Sequence, residues 1–160
     1  MRVLQVQNEV FLPVVLEQLK EHPEKTATIN LRGRSMRPFL EDGRDKAMLQ
    51  LPNGPWHVGE PVLAEITPGH FVLHRIVKID QGKVTLRGDG NLSDEHCTEA
   101  DIRARAVAFI RKGRTKPDYI TGRKWRIYSW LWTRLFPIRR YLLFAMYPHV
   151  PGFLKKRNKQ

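Results

Sequence analysis

Cysteine occurs once in these 160 residues, at Cys97, so no internal disulfide can form and at most one thiolate could serve a metal. That scarcity leaves the compartment open and favours a reducing one. Long apolar runs are missing as well: no uncharged stretch approaches the roughly 20 residues that cross a bilayer. The opening MRVLQVQNEVFLPVVLEQL mixes acids and amides into its apolar residues and has no small-residue cleavage pattern, so a signal peptide is not expected. The six histidines show no ligand spacing of the HExxH kind, and neither a metal nor a cofactor is expected. Acids are scarce in the last third. From Arg111 to Gln160, fourteen Lys or Arg stand against Asp118 alone, whereas residues 1–110 carry fourteen bases and fifteen acids. The net charge of +12 is therefore a property of the tail and describes what the tail meets, not the partner of the first 110 residues.

What is present is a chain of globular composition, 41% apolar, with regular turn punctuation. Residues 8–21 space their apolar side chains helically, with Pro13 near the start where a proline is tolerated. The alternation of 26–31 reads as a strand running into Gly33. Further strands are expected at 45–51, 62–66, 71–79, 83–87 and 102–111, separated by turns rich in glycine and proline. Residues 92–98 read as a polar loop. One leading helix and many short strands predict a mainly β fold, a small antiparallel β-domain over 1–112, followed by a basic, aromatic, helical C-terminal extension over 113–160.

Two side chains stand out. Ser35 lies in LRGRSMRPFL, where Gly33 permits positive φ and Pro38 fixes φ three residues on, so its hydroxyl sits on a constrained bend. Such a bend can expose a nucleophile, or the serine can be an ordinary turn residue. His74, on the strand 71–79, is either a cross-strand polar residue or a general base. The loop after residue 87 offers Asp89, Asp94 and Glu95 to orient an imidazole. His96 and Cys97 form a weaker nucleophile and base pair.

Four segments in order, Gly33-Arg34-Ser35-Met36-Arg37-Pro38, Gly59-Glu60-Pro61-Val62, His74-Arg75-Ile76 and Gly88-Asp89-Gly90-Asn91, resemble the successive boxes of the signal peptidase and LexA-like serine peptidases. The resemblance spans about residues 31–108. It implies a nucleophile at Ser35, which precedes the Met of the first box, and a base at His74, where the archaeal and endoplasmic reticulum branch carries histidine in place of lysine. It also implies an orienting acid at Asp94 first and Asp89 second, with Glu95 the neighbour of Asp94 in the acid pair. Two boxes depart from the family pattern. Gly33 replaces the serine whose hydroxyl helps bind the oxyanion in signal peptidases, leaving the backbone N–H of Ser35 and its neighbours for that task. Gly90 replaces the first Asn of the fourth box. An N-terminal membrane anchor like that of true signal peptidases is not expected here, and secretory preprotein processing is therefore not the expected use.

The implied activity is that of a serine endopeptidase acting on a peptide, protein or leader segment bound extended along a strand edge, with Met36, Pro38 and Phe71 lining its side-chain pockets. Met36 also reads as core packing. A self-cleaving or peptide-binding regulator of LexA-like type is the alternative, although no DNA-binding module is read ahead of the domain. In the tail, residues 125–147 interleave three tryptophans with four arginines. Residues 123–159 thus suit an anionic membrane surface, with docking on the domain and nucleic-acid binding as rivals, nucleic acid being the least favoured. The expected location is cytoplasmic, peripheral at the inner face of the membrane.

Overall fold

A computed structural model describes residues 8–149. Helix α1 (Asn8–Glu21) turns Leu12, Val15, Leu16 and Leu19 inward at a spacing that places them on one face, and leaves Phe11 and Val14 exposed. Each buried leucine or valine contributes about 1.5–3 kcal/mol of apolar burial.

Strands β1 (Ala27–Asn30), β2 (Lys46–Gln50), β3 (Pro61–Thr67), β4 (His70–Asp80), β5 (Lys83–Arg87), β6 (Glu95–Thr98), β7 (Ile102–Ile110) and β8 (Asp118–Tyr119) form one antiparallel sheet. Its order is β1-β2-β7-β3-β4-β5-β6, with β8 also paired to β7. The hairpin joining β4 to β5 turns on Gln81 and Gly82, both at positive φ, which matches the twist of the flanking strands. In β2 and β5 every second residue is buried, as alternation requires: Ala47 and Leu49, then Val84 and Leu86. The core falls into two clusters. One gathers α1, Ile29, Met36, Phe39, Leu40 and Phe109; the other packs Val62, Ala64, Ile76, Val84, Leu86 and Ile102.

One expectation changes. The segment expected to be a loop at 92–98 contains β6, whose Glu-His-Cys-Thr sequence has no apolar alternation and takes strand form by pairing with β5. The basic, helical extension follows the sheet and docks on it. Beyond β8, helix α2 (Arg123–Arg134) buries Trp125 in the first cluster, with its ring centroid 4.9 Å from Phe109 and 5.0 Å from Phe39, while Tyr128 stacks on Phe39 at 4.6 Å. Pro137 divides the extension inside a 3-10 turn, and α3 (Arg139–Met146) follows. Its Leu143 is buried, and after it the Tyr147 hydroxyl, donating to Glu41 at 2.9 Å, brings the chain back onto the Ser35 bend. No helix among the described residues is long and apolar enough to cross a membrane. The basic run at 155–159 lies outside the described residues.

Candidate active site

The bend that carries Ser35 is held at both ends. Gly33, at φ +84, donates its N–H to Asp42 Oδ1 at 2.8 Å, and Leu31 and Gly43 close the loop mouth by backbone bonds. Arg37 donates to Glu41 and lies 4.2 Å over the Tyr147 ring. Asp45, fully buried, accepts from the backbone N–H of Glu41 and of Lys112 and from Arg44. Burial would raise its pKa, but these bonds outweigh it and hold the carboxyl below its ordinary range.

The fourth sequence box packs directly on this bend. Gly90 donates its N–H to the Ser35 carbonyl at 2.8 Å, and the Asp89 amide faces Met36 Sδ at 3.5 Å. Gly90 has no room for a side chain, since a Cβ there would lie 2.6 Å from the Arg34 carbonyl oxygen. A glycine at position 90 is thus required by this packing.

Ser35 and His74 line the same cleft, of about 100 Å³, together with Leu31, Met36, Phe71 and Leu73. Among the described residues no hydrogen bond joins Ser35 Oγ to His74. His74 is buried in β4, opposite Val62 of β3. Its Nδ1 lies 2.8 Å from Glu95 Oε2, close enough for an ion contact but without hydrogen-bond alignment, so both atoms are orphaned by strict geometry. Burial lowers the His74 pKa below its ordinary 6.5, and the nearby Glu95 carboxylate only partly restores it. The imidazole is therefore neutral at pH 7 and able to accept a proton.

The acid beside His74 is Glu95, and not Asp94 or Asp89. Asp94 makes a two-pronged pair with Arg87. Asp89 is buried and serves three partners: Arg75, which donates through Nε at 2.8 Å and Nη2 at 2.7 Å, the Tyr128 hydroxyl at 2.7 Å, and the Trp132 indole, which donates to its carbonyl at 2.8 Å. Asp89 thus ties α2 to the sheet. Burial and the adjoining Asp89 push the Tyr128 hydroxyl far up, so it remains a donor. Of the expected pocket residues, Phe71 and Met36 line the cleft, with Met36 also buried in the core, while Pro38 does not line it. His96 and Cys97 do not act together: His96 Nδ1 lies 3.3 Å from Thr85 Oγ1, and the Cys97 thiol, mainly through burial, is raised to about 11.

The sequence reading missed one feature, which depends on register. On β4, residues from Arg75 onward pair with β5, whereas Phe71, Val72 and Leu73 pair only with β3. The other edge of that half-strand faces the cleft without a strand partner among the described residues. Among the same residues, no three His, Cys, Asp or Glu side chains gather as a metal centre requires. Compared with family models and with curated proteins, the chain finds no match.

Proposed function

We propose that this chain is a serine endopeptidase of the signal peptidase and LexA-like kind, with Ser35 as nucleophile, His74 as base and Glu95 as the acid behind it. The observation that carries the reading is the shared cleft: a serine on a rigid bend and a neutral, buried histidine whose Nδ1 lies 2.8 Å from a carboxylate. With Nδ1 on the Glu95 side, Nε2 is the nitrogen that would serve the serine. An alcohol is almost fully protonated at neutral pH and needs a base in reach, which His74 supplies.

In the reaction, His74 takes the proton from Ser35 as Oγ attacks the peptide carbonyl carbon. The carbon–nitrogen bond then breaks, the amine leaves with the proton from His74, and water releases the acyl group by the same steps in reverse. The Ser35 backbone N–H, which among the described residues has no backbone acceptor, is the donor available to the oxyanion. The free edge of Phe71, Val72 and Leu73 supports an extended substrate that adds to β4 as a strand, with side chains entering the cleft. The same edge would serve a regulator that only binds peptide, or that cleaves itself.

The exposed side of the C-terminal helices supports work at a membrane surface. Ile127, Trp130, Leu131, Ile138 and Tyr141 are exposed there, beside the exposed cations Arg123, Arg126 and Arg134.

A fluorophosphonate probe tests the reading. Labelling of the wild type that disappears in both Ser35→Ala and His74→Ala supports an enzyme, and labelling that survives Ser35→Ala removes it. Incubation with a peptide library, read by mass spectrometry, separates a general endopeptidase from a binder or self-cleaving regulator.

A further inference from the structure

A second cavity, of about 430 Å³, opens where the C-terminal helices meet the sheet and is lined by Val58, Gly59, Arg75, Arg87, Thr133, Phe136 and Arg139, among others. Three arginines on one cavity call for counter-charge, and two have it. Arg75 forks onto Asp89, and Arg87 onto Asp94. Arg139 has none. It is 3% exposed, makes no salt bridge among the described residues, and bonds the protein through Nη2 alone, to the Trp132 carbonyl at 2.9 Å. Its Nε is buried and has no partner. The Trp132 and Phe136 rings lie 5.2 and 5.1 Å from the guanidinium and attract it, but bring no formal negative charge.

A buried cation without a counter-ion is costly, and proteins keep one only where something pairs with it. Burial, with Arg87 and Arg75 adding to it, holds the Arg139 pKa below its ordinary value even though Asp89 pulls the other way. Asp89 also lines the cavity, but its carboxylate is held by Arg75 and Tyr128 and makes no direct contact with Arg139 among the described residues, so one negative charge stands against Arg75 and Arg139 together.

We propose that this cavity binds an oxyanion, a phosphate or phosphodiester group, with Arg139 as its principal ligand. Guanidinium groups suit such oxygens because their paired N–H donors match the spacing of two oxygens on one centre. The group can belong to a free phosphate or to the headgroup of an anionic phospholipid, since the exposed Val58 and the Phe136 ring of the lining offer apolar contact to an acyl chain. The site is separate from the Ser35 cleft and stands whether or not Ser35 is a nucleophile.

The full chain is titrated with inorganic phosphate at constant ionic strength, with chloride as the reference, and melting temperature is recorded. In parallel it is sedimented with phosphatidylcholine vesicles with and without phosphatidylglycerol. Arg139→Gln is compared with Arg114→Gln, an exposed arginine in the turn before β8, outside both the cavity and the C-terminal helices. A phosphate-specific rise in melting temperature, weakened at least tenfold in apparent affinity by Arg139→Gln and less than twofold by Arg114→Gln, supports the proposal with free phosphate as ligand. Absence of that rise together with phosphatidylglycerol-dependent sedimentation lost in Arg139→Gln alone supports it with the headgroup as ligand. No response to either probe, or responses unchanged by Arg139→Gln, overturns it. Should Arg139→Gln fail to fold, Val58→Glu decides: it sets a carboxylate on the exposed rim, so a response that it leaves intact overturns the site.

Discussion

The α-carbon of Gly88 lies so close to Ser35 that a methyl group on it would meet the Ser35 carbonyl oxygen at 2.3 Å and the Ser35 Cβ at 3.0 Å. Gly88 and Gly90 are not among the positive-φ glycines, so the restriction is one of space and not of backbone angle. Two turns of chain far apart in sequence are thereby pressed together, and the pressure falls on the proposed nucleophile.

Gly88→Ala and Gly90→Ala should each cost about 1–3 kcal/mol of stability, the usual penalty for forcing a methyl group into a filled space. Because the neighbours are backbone atoms, relief requires the Ser35 bend to move. Probe labelling of Ser35 in the folded fraction should fall in both variants. Urea unfolding measures the first effect, and labelling normalised to folded protein the second. Wild-type labelling in both variants would show that the bend yields without consequence.

Asp89, Asp94 and Glu95 should separate cleanly by what each does. Asp89→Asn leaves the buried Arg75 without a charge partner and should cost about 3–5 kcal/mol. Asp94→Asn breaks a partly exposed pair with Arg87 and should cost about 0–1 kcal/mol, with no effect on labelling. Glu95→Gln should leave stability near that of the wild type and lower the labelling rate. Denaturant melts and probe kinetics on the three variants check the set. A slow but stable Asp94→Asn would return the orienting role to Asp94.

These three acids also show how far the sequence could be read. The strand Lys83–Arg87 is legible because Val84 and Leu86 alternate with polar residues between two glycine turns. The bend at Ser35 is legible from Gly33 and Pro38, and the strand that carries His74 from its apolar run before the Gly82 turn. The choice between Asp94 and Glu95 was not, because it depends on which of two neighbouring residues faces β4. Reading 92–98 as a loop removed the alternation that would decide it. With β6 beginning at Glu95, the two carboxylates part, one to His74 and the other to Arg87. In the tail, the stripe Trp125, Tyr128 and Trp132 has helical spacing, but its partners Arg75 and Asp89 are polar residues that no hydrophobic pattern marks.

Trp125 and Trp130 should therefore behave oppositely although five residues apart. Trp125 is buried against Phe39 and Phe109, and Trp125→Ala should cost about 3–5 kcal/mol. Trp130 is 58% exposed, and Trp130→Ala should leave stability within about 0.5 kcal/mol while weakening sedimentation with anionic vesicles. Equal loss of stability in both would mean that the outer face is covered in solution.

The pH dependence follows from the position of His74. Its folded pKa lies below the ordinary 6.5 because burial disfavours the imidazolium, so the neutral base persists as pH falls through 6.5 and labelling of Ser35 should hold up below that value. Glu95 works in the other direction, favouring the proton on His74. In Glu95→Gln the acidic limb of the rate profile should therefore move to lower pH, while the plateau drops by about tenfold or more as the ring loses its orientation. Stability follows the same sign. The unfolded chain takes up the proton near 6.5 and the folded chain resists it, so His74 costs stability as pH falls through 6.5 toward the folded value, and His74→Gln should remove that part of the slope. Rate profiles of probe labelling from pH 5 to 8 check the first two statements, and urea melts over the same range check the third. An acidic limb that does not move in Glu95→Gln would mean that the carboxylate does not act on the imidazole at all.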